Sequence, residues 1–337
     1  MDMHQPTRES IMRTVANEAM NNYDLVMPGT KARPVIDDKG KMRFDVIEPT
    51  ILNPLSLRGS AEAQYLTRID VMGGFFHKCS PGLKTAILAE FHQIGKSYML
   101  RCKNMGETQL IRAVLGPRFP KDCDDIYLFP VVLEALLAQD NVQLALFTRD
   151  DDITELHAQF NDTSTSMDGQ TVRGSIAISN SETGHSAIWI EPSIQMFGNM
   201  MVSNKHGDGI SRFIHRGKVP TVAEITEAIN EAKRVAQVGI TQYLEEARTF
   251  ITVKQACKYM DDMVVLPGRF SNIIQNEIKD MEFIQKQDLM RRILLAVKEL
   301  PLFQSINIRR EVGDFVGMFR QTGSRMANIV NLIEQGE

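Results

Sequence analysis

The spacing of hydrophobic and polar positions changes character along the chain. Up to Gly29 it is partly helical. Ile11, Val15, Ala19 and Met20 share one face ahead of Pro28-Gly29, which predicts an N-terminal arm with a short helix. Arg33 to Ile36 and Met42 to Ile47 predict short strands around Asp37-Asp38-Lys39-Gly40, a hairpin turn. Ser60 is the expected N-cap of a helix reaching Val71, ended by Gly73-Gly74. Ser80-Pro81 opens another, with Leu83, Ile87, Leu88 and Phe91 as its apolar stripe. Lys96 to Leu115 then alternates with period two. Tyr98, Leu100 and Cys102 lie on one side, and Met99, Arg101 and Lys103 on the other. Past the turn at Gly106, Leu110, Arg112 and Val114 oppose Gln109, Ile111, Ala113 and Leu115, so the stretch reads as a β-hairpin. A Leu-rich helix follows from Asp124 to Ala138, with Leu133, Leu136 and Leu137 facing inward. Strands come next at Val142 to Phe147, Ile153 to Phe160, Val172 to Ile178, Ser186 to Ile194 and Ser211 to His215. The polar run Asn161 to Gly169 reads as a loop.

After Lys218-Val219-Pro220 the period becomes helical. Thr221 and Glu224 form a capping-box pair, and the stripe from Ile225 through Leu244 predicts one long helix, ending near Ala256 or Met260. Shorter helical patterns lie near Phe270 to Phe283, Asp288 to Lys298 and Glu311 to Glu334. The fold class is therefore α+β: a mainly antiparallel sheet domain with flanking helices, followed by a helical C-terminal region. The expected segments are an arm with short helix and hairpin (1–56), a core (57–219) and the helical region (220–337).

Composition narrows the classes. Hydrophobic residues make up 43% and charged residues 24%, ordinary for a globular chain, and the net charge of −4 argues against a uniformly basic coat. Four cysteines without a C-x-x-C pair predict reduced thiols and a cytoplasmic protein. Neither a signal pattern nor a membrane-length apolar run appears. Charge is uneven, however. Between Phe91 and Lys121 six cations face Glu107 alone, a net of +5. Lys205, Arg212, Arg216 and Lys218 form a second basic segment, with Tyr98, Phe119, Tyr127 and Phe213 interspersed among these charges. Guanidinium groups fork onto phosphates and aromatic faces stack on bases. The candidate nucleic-acid contacts are Lys96, Arg101, Lys103, Arg112, Arg118, Phe119, Arg212, Arg216 and Lys218, with Tyr127 a second stacking candidate. The plainer reading is a solvated sheet face with core aromatics.

The acidic clusters Asp122, Asp124, Asp125 and Asp150, Asp151, Asp152 fall in turns, where Asp bonds local backbone. His77-x-Cys79 lacks a second ligand pair. Neither a G-x-S-x-G, a Walker loop nor a dinucleotide fingerprint is present, so no cofactor, metal or catalytic residue is assigned. Arg309, Arg310, Arg320 and Arg325 read as a solvated basic face.

Two blocks carry a family resemblance. "RAVLGPRF" (Arg112 to Phe119) precedes an acidic turn and the helix containing "LEALL". "VRGSIAISNSETGHSAIWIEPSIQMFGNMMV" (Val172 to Val202) precedes "RFIHRG" (Arg212 to Gly217). Over Leu57 to Lys218 the chain resembles the phage/plasmid-like family called domain of unknown function 932. Gly116 and Phe119 stand where that family has Ser and Tyr, and the turn at Gly198 to Val202 lacks its usual Cys and Gly. The resemblance implies a phage or plasmid context and makes Asn180, Ser181 and Glu182 a motif turn. With the basic segments it leads to an expected DNA-metabolism protein that binds single-stranded nucleic acid without base specificity, as a single-strand binding or annealing homo-oligomer. The alternatives are a non-enzymatic virion or host-takeover component and a metal-dependent nuclease.

Overall fold

The computed structural model describes residues 5–47, 54–106, 108–167, 170–196, 200–203, 207–215 and 220–315. The chain opens with α1 (Arg8–Asn21), capped reciprocally by Thr7 and Ser10, and runs straight into β1 (Asn22–Pro28). Then come β2 (Ala32–Ile36), β3 (Met42–Val46), β4 (Leu55–Leu57), α2 (Gly59–Arg68), α3 (Gly73–Phe76), α4 (Pro81–Phe91), β5 (Ser97–Asn104) and β6 (Gln109–Leu115). These strands form one six-stranded sheet in the order β1-β5-β6-β4-β3-β2, antiparallel except for β4 beside β6. Its first face packs Phe44, Leu55, Tyr98, Leu100 and Cys102 against Tyr65, Leu66 and Phe76 of the helices.

α5 (Asp125–Leu137) leads to the second sheet, built from β7 (Val142–Arg149), β8 (Thr154–Met167), β9 (Gln170–Asn180), β10 (Ile188–Met196), β11 (Met200–Ser203) and β12 (Ser211–Phe213). Its order is β11-β10-β9-β8-β7, with β12 also on β10. Leu156, Ala158, Ile176, Ile178, Ile188 and Ile190 pack beneath α5, α1 and α6 (Val222–Ala247). The chain ends, among described residues, with β13 (Phe250–Thr252), α7 (Val253–Asp262), α8 (Gly268–Ile278), β14 (Phe283–Gln285), α9 (Lys286–Ala296) and α10 (Leu302–Phe315). A third core joins these helices to Ile194, Met196 and Val202. The architecture is α+β with a helical C-terminal region. No described helix is long and apolar enough to cross a membrane.

Several expectations need correction. Residues 8–46 are no separate arm: Ile11 and Val15 enter the core beneath the second sheet, and β1 to β3 supply half of the six-stranded sheet. β1 escapes the pattern because it is an edge strand that follows a helix without a loop. Ser60 does not cap α2. Arg58 occupies the N-cap, and the Ser60 hydroxyl donates to Asp152 at 3.4 Å. Gly73-Gly74 begins a short helix instead of ending one. Only Leu88 of the α4 stripe is buried. The polar run after Phe160 extends β8 to Met167, pairing Thr165 with Val172. Its solvated faces carry no apolar alternation to signal a strand. α6 stops at Ala247 because Phe250–Thr252 leaves to pair with Phe283–Gln285, and Thr252 starts a fresh capping box. The part of the last expected helix beyond Phe315 lies outside the described residues.

Candidate functional site

The second face of the six-stranded sheet meets one end of the second sheet, and the basic hairpin lies at that junction. Strand alternation places Arg101 and Lys103 on this face of β5. On β6 a β-bulge intervenes: Arg101 pairs with Ala113, yet Cys102 pairs with Ile111, leaving Arg112 as the extra residue. Ile111 and Val114 therefore share the apolar face, while Arg112 turns to the side of Arg101. Simple alternation puts Arg112 with Val114, and the bulge overturns that.

Arg101 and Arg112 are each 4% exposed. Arg101 spends all its donors: Nε and Nη2 on Asp24 (3.0 and 3.2 Å), Nη1 and Nη2 on Asp124 (2.6 and 2.5 Å), and Nη1 on the Glu182 carbonyl (2.6 Å). Arg112 Nη2 donates to the Asp151 carbonyl at 3.0 Å and lies 3.4 Å from Glu182 Oε2. A third guanidinium, Arg149, bonds Glu182 Oε2 at 3.0 Å and grips Asp125. Asp125 is buried and also takes the Thr154 hydroxyl and the Asn180 amide (2.7 Å). Burial and the neighbouring Glu182 push the Asp125 carboxyl up. Burial acts upward on Glu182 too, but Arg149 and Arg112 outweigh it and hold that carboxyl below the usual range. Asp124 is pushed up to about 6 by burial, against the pull of Arg101.

The motif turn locks into this network. Asn180 Nδ2 donates to the Cys123 carbonyl at 2.9 Å, the Ser181 hydroxyl to the Asp152 carbonyl at 2.6 Å, and the Asp125 backbone N–H to Glu182 Oε1 at 3.0 Å. His215 Nε2 sits 3.0 Å from Asn180 Oδ1, and its ring meets Phe119 edge-on at 5.1 Å. Phe119 in turn lies under the Arg101 guanidinium, 5.4 Å from ring centre to Cζ. Gly184 closes the turn at φ +75°, where a Cβ would stand 2.9 Å from Leu115 Cδ2.

The expected phosphate contacts thus divide. Arg101 and Arg112 belong to a buried ion network and offer no exposed phosphate site, which corrects their place among the candidate nucleic-acid contacts. Phe119 is half-buried beneath Arg101. Lys103 is half-buried between Glu18 (3.0 Å) and Asp151 (3.2 Å). Lys96, Arg118 and Arg212 are exposed, and Arg212 lies over the Trp189 ring at 5.2 Å. Arg216 and Lys218 lie outside the described residues. Arg309 and Arg310 are no solvated face: Arg309 bonds Glu155 at 2.6 Å, and Arg310 bonds Glu191 at 2.9 Å.

Between β1, β5, β6 and the start of α5 the network leaves a pocket of about 250 Å³. Asp24, Arg101, Arg112, Lys121, Asp124 and Glu182 line it with balanced charge. Asn22, Tyr23 and Tyr127 are also in its lining, and Tyr127 is 58% exposed. Sequence reasoning missed Asp24 and Arg149. The first stands on the unrecognised edge strand, and the second, one cation at a strand end, has no local pattern to mark it. Among the described residues no group of His, Cys, Asp and Glu is arranged to hold a metal. No family model, no curated protein and no solved structure matches the chain.

Proposed function

We propose that the protein is a phage- or plasmid-type DNA-metabolism protein that binds single-stranded nucleic acid without base specificity, working as a single-strand binding or annealing oligomer. The observation that carries this reading is the Phe119–His215 contact. It draws together two basic segments almost a hundred residues apart in sequence. Arg118 and Arg212 flank that contact in the chain and are exposed, and Lys121 keeps 53% of its side chain exposed. Exposed Tyr127 adds an aromatic face, and stacking on such a face tolerates any base. Annealing by this route needs no acid or base catalyst, because strand pairing supplies the energy. Exposed Phe250 and Phe283 on the β13–β14 ribbon support self-association.

The test is fluorescence polarisation with labelled single-stranded and duplex DNA at several salt concentrations. Charge reversal at Arg118, Lys121 or Arg212 is expected to weaken single-strand binding and to flatten the plot of log K against log salt by about 0.7 for each phosphate that is no longer neutralised. Unchanged affinity and slope in all three variants would refute the reading and favour the interaction-protein alternative.

A further inference from the structure

Another cavity lies where the C-terminal helices meet the second sheet. A β-bulge on β7 shapes its floor: Leu144 pairs with Ala158, yet Leu146 pairs with His157. The extra residue, Ala145, turns Leu146 and Thr148 to the face away from α5, beside His157 and Glu155. α9, the turn Val297–Glu299 and the start of α10 close over that floor. The space between is about 420 Å³, and it shares no lining residue with the network of Arg101, Arg112 and Arg149.

The acids around this cavity are spent. Glu155 takes a hydrogen bond from Arg309 Nη2 at 2.6 Å and lies 3.1 Å from His157 Nε2. Burial acts upward on its carboxyl, but Arg309 and His157 outweigh that and hold it down at about 2. Asp150 accepts the backbone N–H groups of Asp152 (2.8 Å), Ile153 (2.9 Å) and Leu302 (3.3 Å). Three donors are unspent. Lys298 and the hydroxyls of Thr148 and Ser305 make no ion pair or hydrogen bond among the described residues. None of the three side chains is sealed off: Lys298 is exposed, and Thr148 and Ser305 are half-buried. Leu146, Leu300 and Leu302, in the same lining, are also only half-buried, so a guest would cover apolar surface that the fold leaves open. An inorganic anion would leave that surface uncovered. An apolar cation would meet Lys298 and find the acids taken. A dianion would crowd Asp150 and Glu155. We propose that the cavity binds a small amphipathic carboxylate, with its apolar body against Leu146, Leu300 and Leu302 and its carboxylate on Lys298, the Thr148 and Ser305 hydroxyls serving as further donors. A largely apolar cavity of this volume with a few polar groups has the usual form of a small-molecule site. The guest touches both β7 and α10, so its binding ties the C-terminal helices to the second sheet. The assignment does not depend on nucleic-acid binding.

The probes are octanoate, octan-1-ol and octylammonium, which share one chain and differ in the headgroup. Each is titrated into the full-length chain at pH 7 and followed by calorimetry and by the melting temperature. Wild type is expected to bind octanoate saturably and to melt higher in its presence. The alcohol and the ammonium are expected to bind at least about ten-fold more weakly, as loss of a charge-assisted hydrogen bond predicts. Two variants locate the site. Lys298→Met removes the ammonium and keeps a long side chain, and Ser305→Phe fills the cavity from α10. Each is expected to weaken octanoate at least about ten-fold, whereas Lys298→Met is expected to leave octan-1-ol unchanged. Circular dichroism melts verify that both fold, and the headgroup comparison needs no variant, so it stands if Ser305→Phe misfolds. Absence of saturable octanoate binding by wild type overturns the assignment. So does octylammonium bound as tightly as octanoate, or unchanged octanoate affinity in either folded variant.

Discussion

Replacing Arg101 by methionine retains most of the side chain's length and removes its charge and donors. Five hydrogen bonds go with it, to Asp24, Asp124 and the Glu182 carbonyl. Asp24 is left with Lys121 at 3.3 Å, and Asp124 loses the cation that neutralises it. Removing one partner of a buried ion pair costs about 3–5 kcal/mol. The lower end applies here, because Asp124 can escape by taking up a proton. Burial already holds its carboxyl near 6 despite Arg101, and without Arg101 it moves higher. The expected loss is therefore about 3 kcal/mol at pH 8, shrinking toward pH 5 as Asp124 takes up its proton. Urea unfolding followed by circular dichroism and by Trp189 fluorescence measures it, with exposed Arg118→Met as the control. A surface change of that kind stays within about 0.5 kcal/mol. If Arg101→Met falls within 1 kcal/mol, roughly, of Arg118→Met at pH 8, the network contributes little and the reasoning about its burial fails. In a double-mutant cycle, adding Asp124→Asn to Arg101→Met should cost less than the sum of the single changes, because the two groups act as one unit.

Other changes test neighbouring parts. Gly184→Ala, at φ +75° and with its Cβ 2.9 Å from Leu115 Cδ2, should destabilise by about 1–3 kcal/mol in thermal melts, and an unchanged melting temperature would contradict the turn geometry. Thr221→Ala removes a capping box whose side chains bond both ways with Glu224, and should cost about 1 kcal/mol in urea midpoints. The pH profile carries two opposing slopes. Burial, with Arg101 close by, pushes His215 down to about 4, so its neutral form contributes stability that is present above its ordinary value and lost as the pH falls toward 4. Asp124, held near 6, contributes stability that is present at low pH and lost as the pH rises through 6. His215→Gln removes the first contribution and leaves the second, so the variant should gain on wild type between pH 7 and pH 5. A constant gap across that range would count against the buried, neutral histidine.

Much of the fold was legible because local signals agreed with it. The Thr221–Glu224 box, Ser80-Pro81 and the turn at Gly106 each mark an element boundary found in the structure. The hairpin, α5 and most strands of the second sheet carry clean periods. Apart from the local misreadings at Ser60 and Gly73-Gly74, what failed depended on partners far along the chain. An edge strand such as β1 needs β5 beside it before its residues make sense. β8 past Phe160 is held by β9 and shows no apolar alternation of its own. The bulge at Arg112 reverses the face of a charged residue, and a count of alternate positions has no means of seeing it.

The candidate site shows the same limit in its charges. Arg101, Lys103 and Arg112 read as a basic strand face because the residues near them in sequence are basic. Their counter-charges arrive from Asp24, Asp124, Asp151 and Glu182, on other elements. A sequence window that counts +5 thus describes a junction nearly neutral in space. This division has a physical use. Guanidinium groups fixed by several carboxylates hold two sheets in register and shape a cavity, a task that exposed cations perform poorly because water screens them. Cations that bind a polyanion reversibly must instead be exposed, as Arg118, Lys121 and Arg212 are. Substitutions in the buried set should therefore move stability first, and those in the exposed set should move salt-dependent binding with little effect on stability. The two groups are separable by experiment even though the sequence interleaves them.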